Sequence, residues 1–393
     1  MRVEKRHIGW WLGGLLMLLL TACASSPEEL PEAYEKPVLK LYVFEPDHPI
    51  VTRDGEDKVN ASDSENAIHS LHVWVFEAGT YNLVSYISLR NVSLTEPVTM
   101  DISDSFANNP DKPNVDVFVL ANVTASNCGI TLDGSSTYSQ VEAACIEDRY
   151  FGPTSPLVSD VPDDGLPMSG SMKNQYISGT APVFEVRPAL DQSMSIVKLV
   201  RAVSKVRFVL CRATESDETT KRLASIDDIS LDANLIPTTT YLFPTGTESY
   251  TYSHAAISYG GVAREDIPAV RDPHDYVYAG QSGQDYENMV EAAVSGGALL
   301  PFGLTYLRES PKQLTGTVSY KVQEREGDDW GESVQATPVA FSMSGEGDFL
   351  RNHTWIVYIY FMDSKIHVLT VAQIGMKEWT SDGADEPETF YNW

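Results

Sequence analysis

The stretch "IHSLHVWVFEAGTYNLVSYISLR", residues 68–90, decides the class of fold. Apolar and polar residues alternate at period two through both of its halves, the signature of half-buried strands. The turn residues "EAGT" separate the halves, so 68–90 reads as a β-hairpin. The same pattern continues downstream. "NVDVFVLANV" predicts a buried strand with Val115, Val117 and Val119 on one side. "SMSIVKLVRAVSKVRFVL" predicts one long strand, or two broken near Arg201. "IDDISLDANLI", "ALLPFGLTYL", "QLTGTVSYKVQ", "ATPVAFSMSG", "HTWIVYIYFM" and "KIHVLTVAQIG" carry strands to the end of the chain. Helical spacing is confined to two places. "SSTYSQVEAACIEDRY" repeats Tyr138, Val141, Ala144 and Cys145 behind a cap at Ser135 or Ser136, and "DYENMVEAAV" predicts a second short helix.

These elements predict a mainly β protein of two antiparallel β-sandwich domains with a few short helices. The polar stretch "RATESDETTKRLAS" places the boundary near residue 215. An N-terminal domain over 54–215 and a C-terminal domain over 216–393 result.

Upstream of the hairpin, "PVLKLYVFE" is strand-like although it lies ahead of the first domain. Val38, Tyr42 and Phe44 share one face, Leu39, Leu41 and Val43 the other, with Lys40 among them. Such a strand suits a slot between two sheets better than a wet edge. Arg53 and Asp54 follow in a Pro- and Gly-flanked segment of the exposed kind where proteolysis concentrates.

The first 23 residues stand apart from the fold. Arg2, Lys5 and Arg6 precede "IGWWLGGLLMLLL", an apolar run too short to span a bilayer. The run closes on Leu20-Thr21-Ala22-Cys23, a lipobox in which Cys23 becomes lipidated. "ASSPEELPEAYE" reads as an acidic tether. A lipid-anchored precursor on the outer membrane follows as the expected location.

The chain has 393 residues, enough for two ordinary domains, and a net charge of −27. That surface repels nucleic acid and suits an extracellular particle. The acidic residues are scattered and show no calcium-loop spacing, so no metal is expected. With Cys23 spent on lipid, Cys128, Cys145 and Cys211 remain. Cys128 and Cys145 are a candidate disulfide, and Cys211 reads as a small buried apolar residue.

No motif points to catalysis or a cofactor. The eight histidines show no His-x-x-x-His spacing, and there is no Cys-x-x-Cys pair. Ser169 lies beside Gly170, but no Gly-x-Ser-x-Gly elbow or phosphate loop is present. The tyrosines and tryptophans suit core packing more than a glycan platform.

Taken in order, these segments resemble the type V fimbrillins of Bacteroidetes outer surfaces, over Cys23 to about Trp379. "ENAIHSLHVWVFEAG" is similar to the family's first mature strand. "VDVFVLANV" resembles its strand ending in Ala-Asn, and "LPMSG" its Pro-Met segment. "LVRAVSKVRF" matches an Arg-x-x-x-Lys strand, here Arg201 and Lys205. "LRNHTWIVYIYF", with Arg351-Asn352-His353, resembles its C-terminal strand, and "MKEW" its terminal Trp. The tail "TSDGADEPETFYNW" departs from the pattern.

The resemblance implies transthyretin-like sandwiches and a maturation pathway. An extracellular Arg-specific protease would cut after Arg53, removing residues 24–53 with the strand of Val38, Leu39, Leu41 and Val43. The vacated groove would accept a strand from another subunit, a copy of the chain or another fimbrial protein. The expected donor is residues 365–379, carrying Ile366, Val368, Thr370, Ala372 and Ile374. The alternative for that segment is a terminal hairpin with residues 354–362. The implied function is a stalk subunit of an extracellular fimbrium that meets an adhesion ligand. The alternatives are a tip or anchor subunit and, from another class, a surface glycan-binding lipoprotein.

Overall fold

The structure, a computed structural model, describes residues 36–44, 63–146, 161–187, 196–214, 220–252, 255–281, 283–343, 350–374 and 389–392. It is mainly β, as the alternation predicts. The first unit contains β1 (Val38–Phe44), β2 (Ser70–Glu77), β3 (Leu83–Arg90), β4 (Val98–Asp101), β5 (Val115–Ala121), β6 (Cys145–Ile146), β7 (Met168–Thr180), β8 (Val183–Arg187), β9 (Ile196–Lys198) and β10 (Val200–Arg201). The second contains β11 (Val203–Ala213), β12 (Lys221–Leu231), β13 (Thr240–Tyr241), β14 (Ile257–Ser258), β15 (Val262–Ala263), β16 (Ala269–Val270), β17 (Leu300–Arg308), β18 (Leu314–Glu326), β19 (Asp329–Gln335), β20 (Val339–Met343), β21 (His353–Met362), β22 (Lys365–Ile374) and β23 (Thr389–Asn392). Among the described residues the α-helices are α1 (Asp63–Asn66), α2 (Asp104–Ala107), α3 (Ala125–Cys128), α4 (Tyr138–Glu142) and α5 (Gly283–Ser295).

In the first unit one sheet runs β3-β2-β5-β7-β8-β1-β4, with β9 on β1 and β10 on β7. It curls until its two ends meet, where Ser85 Oγ donates to the Asp101 carbonyl at 2.7 Å. Alternation decides what each face meets. Val73, Val75, Val117 and Val119 line the interior. Their neighbours Trp74, Phe76, Phe118 and Leu120 face outward under α3, α4 and an arm from the second unit that carries Leu242 and Phe243. The hairpin of residues 68–90 is present as β2 and β3, paired from Ser70–Arg90 to Phe76–Leu83.

The second unit is a sandwich. One sheet runs β16-β11-β21-β22-β23 with β17 on β11, the other β14-β12-β18-β19 with β15 on β12 and β20 on β18. Val206, Phe208, Leu210 and Val357 pack across to Ile226, Ile229 and Val318. On the outer face α5 seats Tyr286, Val290 and Ala293 against Val209, Ile356 and Tyr358.

Three expectations need correction. The sheets are mixed: β1 runs parallel to β8 and β9, and β11 parallel to β16 and β21. Alternation tells which face a residue occupies and not which way its neighbour runs. The change of unit falls at Ala202, where β10 leaves β7 and β11 begins its ladders with β17 and β21. The polar stretch around 215 instead joins β11 to β12 within the second unit. The helix predicted up to Cys145 stops at Glu142 and is capped by Thr137, whose side chain accepts from Gln140 N. Cys145 and Ile146 pair with Tyr241 and Thr240 as strands, so a tertiary ladder overrides local helical spacing.

Candidate functional site: a strand slot and the junction beneath it

β1 is inserted between strands on both sides. Val38 to Leu41 pair antiparallel with Asp101 to Val98. On the other side Val38 to Lys40 pair parallel with Val183 to Glu185, and Tyr42 to Phe44 with Ile196 to Lys198. Further hydrogen bonds close the ends. Val38 N donates to the Pro182 carbonyl at 2.8 Å, Ile102 N to that of Pro37 at 3.0 Å, and Leu199 N to that of Phe44 at 3.0 Å.

Leu39 and Leu41 are 0% exposed and Val43 1%. They fill the interior of the curled sheet beside Val98, Met100 and Phe184. On the opposite face Val38 is buried, but Lys40, Tyr42 and Phe44 are half-buried. The expected strand, apolar and enclosed on both faces, is therefore enclosed on one. The curled sheet has its core on one side, and the other side of β1 is only partly covered. Burial of Leu39, Leu41 and Val43 contributes on the order of 1.5–3 kcal/mol each.

Neighbouring backbones depend on this strand. β4 has β1 as its ladder partner, and so has β9. Backbone approach is close on the far side of β9: a Cβ on Gly170 of β7 would lie 2.5 Å from the Lys198 carbonyl oxygen. Without β1, the facing N–H and C=O groups of β4, β8 and β9 lose their partners around an apolar trough.

Two residues beyond Leu199, Arg201 enters a buried polar cluster that strand periodicity does not reveal. Glu65 of α1 is 4% exposed. Its carboxylate meets Lys205 Nζ at 2.9 Å and accepts from the Tyr306 hydroxyl at 2.6 Å. Arg201, also buried, donates from Nε to the Glu65 carbonyl at 3.3 Å, from Nη2 to Asn66 Oδ1 at 2.5 Å, and from Nη1 to Asn352 Oδ1 at 3.0 Å. Asn352 N in turn donates to the Val203 carbonyl at 2.9 Å. Arg207, on the same strand face as Lys205, pairs with Glu287 and Glu291 of α5. Burial raises the Glu287 carboxyl above the ordinary carboxylate range, against the pull of Lys205 and Arg207. Burial, then the nearby Glu65 charge, raises the Tyr306 hydroxyl. The motif residues Arg201, Lys205 and Asn352 thus converge with Glu65 and Asn66 from the stretch ahead of β2.

Another motif residue is also explained. Asn122 follows β5 with φ 57° and is buried. Its side chain accepts from His69 N at 2.8 Å and donates to the Leu166 carbonyl at 2.9 Å, tying β2 to the segment entering β7.

The remaining expected sites fall as follows. Cys23, Arg53 and Asp54 lie outside the described residues. Cys128 and Cys145 carry no disulfide. Cys128 is fully buried at the end of α3, its thiol 3.8 Å from the Ile130 carbonyl, and Cys145 is held on β6 by its pairing with Tyr241. The two stand on neighbouring elements, with Cys145 Sγ 3.7 Å from where a Cβ on Gly129 would lie, yet they are not bonded. Cys211 is buried, as expected, and its sulfur lies 2.9 Å from the Tyr358 hydroxyl. Burial pushes that thiol up to about 12. The candidate donor is β22, paired with β21 from Met362–Lys365 to His353–Ile374, which is the terminal-hairpin arrangement. Ile366, Thr370 and Ala372 are buried and Val368 is half-buried. Among the described residues no group of three His, Cys, Asp or Glu is placed to hold a metal, and no helix is long and apolar enough to cross a membrane.

No protein-family model matches the chain, and no curated protein does. Solved structures do match. A candidate cell adhesion protein of Bacteroides eggerthii is 12% identical, covering 91% of this chain and 95% of its own, with a TM-score of 0.46. The tip fimbrial protein Mfa3 of Porphyromonas gingivalis, truncated at its C-terminus, is 15% identical over 86% of this chain and 98% of its own, at 0.46. A fimbrilin, fimA, of the same organism is 10% identical over 83% and 90%, at 0.42.

Proposed function

We propose that the chain is a structural stalk subunit of a cell-surface fimbria, exported as a lipoprotein on Cys23 and matured by cleavage between Arg53 and Asp54. The observation that carries this reading is β1. It is a short apolar strand ahead of β2 in the chain, seated between β4 on one side and β8 and β9 on the other. A segment that only tethered the protein to lipid would have no need of a core position. A removable strand needs one, because it must cover the trough until a replacement arrives.

Cleavage by an extracellular Arg-specific protease frees the lipid and β1 from the outer membrane form. A strand from a neighbouring subunit then restores the ladder, a form of β-augmentation. Because each subunit gives and accepts a strand, the contact is head-to-tail and propagates as an extracellular filament. The C-terminal segment 365–379 is the donor in this reading, with Ile366, Val368, Thr370, Ala372 and Ile374 at alternate positions to replace Leu39, Leu41 and Val43.

The test is the N-terminal residue of polymer recovered from the cell surface. Asp54 is expected, and Arg53→Ala is expected to leave a folded, lipid-anchored monomer. Polymer that retains lipidated Cys23 overturns the reading.

A further inference from the structure

We propose that occupancy of the β1 slot controls how tightly the second unit holds its β21–β22 hairpin, through β9, Arg201 and Asn352. The inference rests on the maturation reading above and adds a regulation of the same site.

The connection is continuous in the chain and in space. β9 has β1 as its ladder partner, and Leu199 N reaches the Phe44 carbonyl. Arg201 follows two residues later, on the short β10. Its guanidinium bridges two segments: α1, through the Glu65 carbonyl and the Asn66 side chain, and the stretch ahead of β21, through the Asn352 side chain. Asn352 immediately precedes β21, and its own N–H is held by the Val203 carbonyl at the start of β11. Ser204 Oγ accepts from His353 N at 3.0 Å, fixing the first residue of β21 to the same strand. β21 then carries β22 along its full length.

The element with two states is β9. With β1 present it is a laddered strand. With β1 absent it loses that ladder while Val197 and Leu199, both 0% exposed, face an emptied trough. A shift of the 196–199 backbone moves the base of Arg201. A guanidinium fixed in a planar fork cannot follow without giving up one of these partners. The contact to Asn352 joins the first unit to the start of β21. Coupling between sites is reciprocal, so a tightly held hairpin also favours an occupied slot. Such an arrangement keeps the C-terminal segment in place in the precursor and loosens it after maturation.

Hydrogen exchange of the full chain tests this. Peptides covering 353–374 are followed before cleavage, after Arg-specific cleavage, and in uncleaved Leu41→Asp, which expels β1 by burying a charge. Exchange within 353–374 is expected to rise about 5-fold or more when β1 leaves by either route. In Arg201→Lys, which keeps the charge without the fork, that rise is expected to vanish while 36–44 still deprotects. Gly170→Ala, which pushes on the Lys198 carbonyl with β1 in place, is expected to raise exchange in the same region. It keeps the test open if Leu41→Asp fails to fold. Loss of β1 in Leu41→Asp, or displacement of β9 in Gly170→Ala, with 353–374 unchanged overturns the coupling. Retention of β1 after cleavage overturns the maturation reading instead, since neither variant depends on the protease.

Discussion

β1 and β22 are both apolar strands near a sheet edge in sequence order, yet they are held in different ways. β1 has seven residues, one core face, and three short ladders to β4, β8 and β9. β22 has ten residues, all paired with β21. Both of its faces are occupied: Ile366 and Ala372 face the sandwich interior, and Leu369 and Val371 face α5. Thr370 Oγ1 also donates to the Ser342 carbonyl at 2.8 Å. Losing β1 empties one trough. Losing β22 would open two cores at once, so a donor drawn from this segment has to be released by something. That requirement is why a link between slot and hairpin matters.

The sharpest contrast is a buried charge in each strand. Val371→Asp should unfold the second unit, because the carboxylate enters the layer under α5 with no partner, an effect expected to exceed about 4 kcal/mol. Leu41→Asp should leave that unit folded. Near-ultraviolet circular dichroism and urea melts of the two variants separate them, and equal loss in both breaks the comparison.

A milder truncation follows. Leu41→Ala should destabilise the precursor by about 2–5 kcal/mol, the usual cost of a large-to-small core change. Urea melts of the uncleaved chain with and without the substitution check this, and an unchanged midpoint would show that the Leu41 side chain contributes nothing to the core.

Acid should act on the hairpin. Burial lowers the pKa of His353 and of His367, one on each of its strands, and also of His72 on β2. A depressed imidazole stays neutral in the folded state while the unfolded chain takes up a proton below about 6.5. Stability from these groups is therefore present above that value and lost as pH falls through it, by no more than about 1.4 kcal/mol per pH unit for each proton. Glu287, raised by burial, works in the opposite direction. Its contribution is complete below the ordinary carboxylate range and is lost as pH rises through its raised value. Melting temperature should fall from pH 7 to pH 5, and His353→Gln with His367→Gln should flatten the fall. An unchanged slope would remove pH as a difference between the two strands.

The smallest effect is expected at Lys40. It sits on the half-buried face of β1, and Lys40→Gln should change precursor stability by no more than about 0.5 kcal/mol. A larger loss would mean that this face is more enclosed than its exposure indicates.

What the sequence by itself determined is whatever depends on short-range spacing. Alternation in 68–90 made β2 and β3, and helical spacing in 285–294 made α5, because each pattern commits side chains to one face before any partner is chosen. Leu39, Leu41 and Val43 were readable as one face of a strand for the same reason. Tertiary structure decided the partners and their directions. It ran β1 parallel to β8 and β9, cut the helix at Glu142 to pair Cys145 with Tyr241, and moved the change of unit to Ala202. It also gathered Glu65, Arg201, Lys205, Tyr306 and Asn352 into one cluster, although Glu65 and Asn352 lie at opposite ends of the chain. Such a cluster has no periodic trace: a buried charge is stable only where opposite charge and hydrogen-bond partners arrive from distant segments, and only packing brings those segments together.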